Sequence, residues 1–302
     1  MKILLLGADG QVGYELHRAF SPLGQVLPYT YNGQLPGNMR CGQIDFESVG
    51  SLAKLVRDQK PDLVLNAVAH TAVDRAEDES AKAHRVNAEA VGELATSCKT
   101  AGAKLVHYST DYVFGGNLQR PIREDDPTAP VSVYGASKLA GETAIRDSGC
   151  SHLILRTAWV YCARGQNFLR TALRLSKERK ELRIVNDQIG SPTPARWLAG
   201  ATAAAVGKRP DADGTWHVVA DGECSWHEFA MAIYGEALSA GIIASTPKLI
   251  GIPSSEYPTK AKRPAYSRLD TTRFAKDFGL HLPDWREGLR QVIAELAEKN
   301  SG

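Results

Sequence analysis

Cysteine is scarce in this chain of 302 residues, and what there is lies scattered: five residues, an odd number, at 41, 98, 150, 162 and 224. With no Cys-x-x-Cys pair among them, a disulfide framework is excluded and reduced thiols are expected. The eight histidines form no His-Glu-x-x-His and no Cys/His cluster, so a structural zinc site has no support and the chemistry is expected to need no metal. No apolar run approaches the roughly 18 residues of a spanning helix, and the N-terminal run of about five is too short for a signal segment. The expected compartment is the cytoplasm, with no membrane partner. Charge of one sign is lacking as well: the formal net charge is +2, with basic and acidic residues interspersed, which gives no field for nucleic acid.

What remains is an ordinary globular balance, 43% apolar and 23% charged, in a chain longer than one usual domain. Strand-like and helix-like stretches alternate through the first 160 or so residues, the pattern of βαβ units. Strands are expected at 3–6, 25–29, 63–67, 104–108 and 153–157, and helices at 12–20, 47–59, 81–100 and 134–146. The fold class is therefore α/β, a Rossmann-type doubly wound parallel sheet, here over residues 1–161 with a return near 187–207. Residues 162–302 read as a smaller, mainly helical substrate lobe, with helices at 167–179, 193–206, 225–240 and 285–298 between proline-rich loops. Right-handed crossovers put all strand C-termini on one edge, where ligands bind.

Two local patterns carry chemistry. The strand-forming Lys2 to Leu6 runs into Gly7-Ala8-Asp9-Gly10-Gln11-Val12-Gly13. Glycines there let a backbone turn tightly, approach a pyrophosphate and pack a helix whose N-terminus faces the anion; the competing reading is a turn that serves packing only. Among ten tyrosines, Tyr134 alone has a lysine, Lys138, at the fourth following position. On a helix that spacing stacks the two side chains about one turn apart. An ammonium beside the phenol favours phenolate, so Tyr134 is expected to lose its proton more readily than a free tyrosine and to serve as general acid toward a carbonyl oxygen. Thr110, at the end of its strand, is placed to steady the developing alkoxide or else to cap a turn with Asp111. Lys138 has a second expected task on the nicotinamide ribose.

Together with Ser109-Thr110-Asp111-Tyr112-Val113-Phe114 and Tyr134-Gly135-x-Ser137-Lys138-Leu139-x-Gly141-Glu142, these patterns resemble the extended short-chain dehydrogenase/reductase family. Within it they are most like the branch that reduces dTDP-4-dehydro-L-rhamnose to dTDP-L-rhamnose for surface polysaccharide such as the O-antigen of lipopolysaccharide. The likeness extends through Ala69-His70-Thr71-Ala72-Val73-Asp74, Arg156-Thr157-Ala158-Trp159-Val160-Tyr161 and Asn186-Asp187-Gln188 to Arg263-Pro264 and Ser267. It implies a catalytic set of Thr110, Tyr134 and Lys138. It also implies cofactor contacts from Gly7, Gly10, Gln11, Val12, Gly13, Asp45, Phe46, Ala69, His70, Thr71 and Tyr108, besides Tyr134 and Lys138. Thr110, Asp111, Trp159, Arg263 and Ser267 would then meet the dTDP-sugar.

Related dehydratases carry Asp-Glu after the threonine; here Asp111 is followed by Tyr112, which favours simple keto reduction. After the second strand stands Thr30-Tyr31-Asn32, with no carboxylate to repel a 2′-phosphate, so NADPH is expected to serve at least as well as NADH. Some family members dimerise through acids around magnesium. Glu15 fits that pattern but Arg196 stands where another acid belongs, so monomer and homodimer both remain open. Two rival readings are a reductase of another nucleotide-linked 4-keto-6-deoxyhexose and a non-catalytic regulatory subunit of the same fold.

Overall fold

The computed structural model describes residues 1–300, with side chains through Glu298. Its centre is a seven-stranded parallel sheet of β1 (Lys2–Leu6), β2 (Gln25–Thr30), β3 (Gly42–Gln43), β4 (Leu63–Asn66), β5 (Lys104–Thr110), β6 (His152–Thr157) and β7 (Gly214–His217). The spatial order is β7-β6-β5-β4-β1-β2-β3, a Rossmann arrangement that reverses direction between β1 and β4 and leaves a crevice there. The inner strands β1, β4, β5 and β6 are largely apolar because both faces are covered. Along β1, Ile3 and Leu5 enter one core while Leu4 and Leu6 enter the other, the two-residue period of a strand.

The helices follow in chain order as α1 (Gln11–Phe20), α2 (Ser51–Gln59), α3 (Val73–Asp78), α4 (Ser80–His84), α5 (Ala90–Ala101) and α6 (Val133–Ser148). Then come α7 (Phe168–Glu178), α8 (Ala195–Lys208), α9 (Trp226–Ser239), α10 (Thr272–Phe278) and α11 (Trp285–Asn300). Leu16 and Phe20 of α1, Leu198 of α8 and Phe274 of α10 cover one face of the sheet; Leu52 of α2, Leu94 of α5 and Ile145 of α6 cover the other. A separate core of Tyr161, Phe229, Tyr234, Trp285 and Leu289 joins α9 and α11, beside a parallel pair formed by Glu181–Val185 and Lys248–Ile252. Among the described residues no helix is long and apolar enough to cross a membrane.

Several elements differ from the sequence-based expectation. The helix expected at 81–100 is interrupted by a π-helical turn, Arg85–Glu89, which swings Asn87 inward to bond the loop at residue 70. The helix expected from 47 starts at Ser51, because Gly50 is left-handed at φ 79°. Thr193 and Pro194 pair with Val160 and Tyr161 before α8 begins. The return to the sheet is longer than 187–207: α8 packs on α1 and residues 214–217 form the outer strand beside β6.

Candidate active site

The turn after β1 is built by close approach. Gly7 sits at φ 77°, and a Cβ on Gly13 would lie 1.9 Å from the Gly7 carbonyl oxygen, so only glycine lets α1 settle against the strand. Gly10 caps α1 with no side-chain hydrogen bond, and the first turn holds no acid, which leaves its N–H groups and dipole open to an anion. A groove of about 360 Å³ continues from Gly7 and Gly10 past Thr30, Tyr31, Asp45, Phe46, Ala69 and His70. These residues fit a dinucleotide: glycine at the phosphates, apolar walls beyond, and the N-terminus of α1 between. The groove also holds Glu47 and Lys82, paired at 2.9 Å. Carboxylates therefore do stand near the end of β2, although none lies in the segment 30–32, and one of them carries its own counter-charge.

The other expected cofactor residues are placed less uniformly. Gln11 reaches across to the second lobe, its Oε1 accepting from Asn167 at 2.8 Å. Val12 packs under the sheet. Tyr108 turns its hydroxyl to Thr202 at 2.7 Å, away from the groove, so that its backbone carbonyl is what faces Lys138. Phe46 is buried in the core beneath α2, Asp45 accepts from the Glu47 amide, and Thr71 is exposed.

Beyond the groove, β5 delivers Thr110 and Asp111 to the edge, and α6, capped by Ser132 on the Gly135 amide, delivers Tyr134 and Lys138. Burial pushes the Tyr134 phenol up to about 12, partly opposed by a hydrogen bond with Thr110. This reverses the expected direction. Lys138 does not face the phenol: its amine donates to the Tyr108 carbonyl at 2.7 Å and meets His107 Nε2 at 3.0 Å, and burial lowers it to about 8. Desolvation outweighs the proximity that the four-residue spacing provides.

Thr110 serves the turn and the site at once. Its hydroxyl donates to Asp111 Oδ1 at 3.0 Å and accepts from the Tyr112 amide at 3.2 Å. Asp111 is buried, which raises it to about 6 against the hydrogen bonds of Ser267 and Thr110, and its Oδ2 has no partner. Arg263 does not point freely into the cleft; it forks onto Asp74 at 2.7 and 3.3 Å. Trp159 is held at φ 47°, a costly conformation for a bulky residue. Its indole stacks on Trp226 with ring centroids 3.5 Å apart and lies against Gly190. One aromatic face expected to meet a sugar is thus already covered.

Glu15, the residue considered for magnesium, is 4% exposed and its carboxyl is raised by burial, with Arg18, Arg164, Arg196 and Glu295 around it. Three cations and a burial that favours the proton do not suit a divalent ion. Among the described residues no group of three or more His, Cys, Asp or Glu is arranged to hold a metal.

The sequence model of the family described as "RmlD substrate binding domain" matches residues 1–298. The chain belongs to this RmlD family. An RmlD relative, the dTDP-4-dehydrorhamnose reductase of Escherichia coli K12, is 46% identical over 299 residues, 98% of each chain. Among solved structures, the chain is similar to a dTDP-4-dehydrorhamnose reductase ortholog from Clostridium acetobutylicum, with TM-score 0.88 and 34% identity over 98% of this chain and 99% of that one. It is equally similar to the Bacillus anthracis reductase solved in complex with NADP, with TM-score 0.88 and 32% identity over 97% and 99%.

The RmlD chain also contains site residues that sequence reasoning missed. Asn87 accepts from the His70 amide at 2.8 Å and donates to the His70 carbonyl at 3.1 Å and to Ser137 at 3.0 Å, tying the groove loop to α6. His107 and Asn66 form a buried pair beneath Lys138. Phe168, Leu182, Val185 and Trp226 line a second cavity of about 320 Å³ that includes Arg263. The available signal was polarity in the wrong place: a histidine inside an apolar strand and an asparagine at the end of another.

Proposed function

We propose that this RmlD protein reduces the 4-keto group of dTDP-4-dehydro-L-rhamnose to dTDP-L-rhamnose, with NADPH preferred or equal to NADH, in the cytoplasm and for a surface polysaccharide. What carries the reading is the convergence of the Thr110 and Tyr134 hydroxyls at the C-terminal edge of the sheet, in a chain alike over its whole length to a named reductase.

A reduced nicotinamide, when bound, supplies hydride. The chain's own residues do the rest. Tyr134, protonated through neutral pH because burial holds it near 12, gives its proton to the carbonyl oxygen as negative charge develops there. Thr110 turns its single proton from Asp111 to that same oxygen and steadies it. The turn frees Asp111 Oδ1 to join the unpartnered Oδ2 in accepting sugar hydroxyls. Position 112, where a dehydratase-like site would need a second acid, holds a half-buried tyrosine edge-on to Tyr134 at 5.6 Å, which supports reduction without loss of water. The cavity beside Trp226 offers aromatic and aliphatic walls for a pyrimidine, and Arg263 offers charge for the diphosphate, once it exchanges Asp74 for the ligand.

The decisive experiment follows NADPH oxidation by the purified protein with dTDP-4-dehydro-L-rhamnose generated in place. Formation of dTDP-L-rhamnose, reduced at least about 100-fold in Tyr134→Phe, supports the reading. Tight NADPH binding with no turnover sinks it in favour of a regulatory subunit, and turnover only with a different 4-keto-6-deoxyhexose reassigns the substrate.

A further inference from the structure

His107 lies midway along β5 and is fully buried, three residues before Thr110. Both of its ring nitrogens are engaged. Nδ1 lies 3.1 Å from Asn66 Nδ2 and Nε2 lies 3.0 Å from the Lys138 amine. Which nitrogen carries the proton follows from the groups behind it. Asn66 Oδ1 accepts from the Val68 amide at 3.1 Å, so the amide nitrogen is the atom turned to the ring, and it can only donate. Nδ1 therefore accepts, and the ring proton sits on Nε2. That proton points at Lys138 Nζ, which must accept it with a lone pair while donating one of its own protons to the Tyr108 carbonyl at 2.7 Å. A lysine that accepts is a neutral amine.

We propose that His107 is a positioning residue of the site: backed by Asn66, it donates its Nε2 proton to Lys138, favours the uncharged form of that amine and draws it toward the sheet until cofactor binds. The surroundings agree. His107 itself is lowered well below the usual histidine range, chiefly by burial, so it stays neutral whichever form the amine takes. The charges facing the amine are few: Glu142 on its own helix, which Arg156 of β6 clasps at 2.7 and 2.9 Å, and Asp111 beyond Tyr134. β4 and the π-helical turn contribute only the amides of Asn66 and Asn87. The amine's remaining proton is left for a ribose hydroxyl.

The inference rests on the reductase reading for its consequence but not for its test, which needs no sugar. NADPH affinity is measured against pH for the parent, His107→Gln and His107→Asn. Glutamine places an amide N–H where Nε2 stood; asparagine reaches only the Nδ1 position. A donor to the neutral amine favours that form, so its loss raises the lysine. The parent and His107→Gln should share one profile, whereas in His107→Asn the midpoint assigned to Lys138 moves up by about one pH unit. In turnover His107→Asn should lose about tenfold in kcat with the sugar KM unchanged. Identical profiles for the two variants overturn the proposal. Should either variant fail to fold, the histidine ¹⁵N spectrum of the parent decides: a neutral Nε2–H ring supports the proposal, and an Nδ1–H ring or an imidazolium overturns it. Absence of turnover in the parent, with the binding profiles as described, would count against the reductase reading alone.

Discussion

The indoles of Trp159 and Trp226 stack face to face, with centroids 3.5 Å apart and planes within 5°, and this pair joins the loop after β6 to the start of α9. Trp159 belongs to the sheet edge; Trp226 lines the cavity assigned to the nucleotide. Removing either ring should therefore disturb the sugar-nucleotide side of the cleft more than the dinucleotide groove. Trp159→Ala and Trp226→Ala are each expected to raise the KM of the dTDP-sugar about tenfold or more, with NADPH affinity changed less than twofold or so. Equal losses in both, measured by steady-state kinetics and cofactor titration, would reduce the pair to packing.

Asp111 gives a stability prediction with a sign. Its carboxyl is raised to about 6 by burial, above its unfolded value, so the protonated form is the one folding favours. The contribution to stability is fully present below the unfolded pKa and is lost as pH rises through the folded value. At pH 7 the buried carboxylate is a net cost. Asp111→Asn should raise the melting temperature at pH 7 by about 3 °C or more, with the gain shrinking toward pH 4, while sugar turnover falls at least tenfold or so. Thermal unfolding of both proteins across that range checks it.

Lys82 neutralises Glu47 at the rim of the dinucleotide groove. Both side chains are about half exposed, so the pair adds little to stability, but its loss leaves a bare carboxylate where a 2′-phosphate would sit. Lys82→Ala should raise the Kd for NADPH about three- to tenfold and leave that for NADH nearly unchanged. A parallel loss for both cofactors would place the 2′-phosphate elsewhere.

The high position of Tyr134 also makes a claim about pH. Since burial holds it near 12, ketone reduction should show no alkaline break from this group below about pH 10. A break at lower pH that disappears in Tyr134→Phe would mean that the phenol is poised by a charge this structure does not place beside it.

Most of the sheet was legible because parallel strands buried on both faces have no choice but to be apolar: β1, β2, β4, β5 and β6 all appear as such runs, within a few residues of their ends. β7 was not. Its four residues, Gly214 to His217, contain one large apolar side chain between loop-forming neighbours, and only pairing with β6 makes them a strand. In the site, the spacing of Tyr134 and Lys138 was legible, whereas the direction of the lysine was not. Four residues on a helix fix how near two side chains can come. The carbonyl of Tyr108 and the ring of His107, on a strand distant in sequence, decide where the amine goes. Asn87 escaped notice for the same reason, since the π-helical turn that aims it inward leaves no mark on an otherwise helical pattern.

The late arrival of β7 sets a limit on dissection. A fragment cut at residue 161 retains the glycine turn, Thr110, Tyr134 and Lys138, yet it loses the strand that pairs with β6 and the helix that packs on α1. It would present a row of unpaired amides and carbonyls next to a bare apolar surface, the template on which sheets add to one another. Such a fragment is expected to accumulate as insoluble aggregate instead of a minimal cofactor-binding unit.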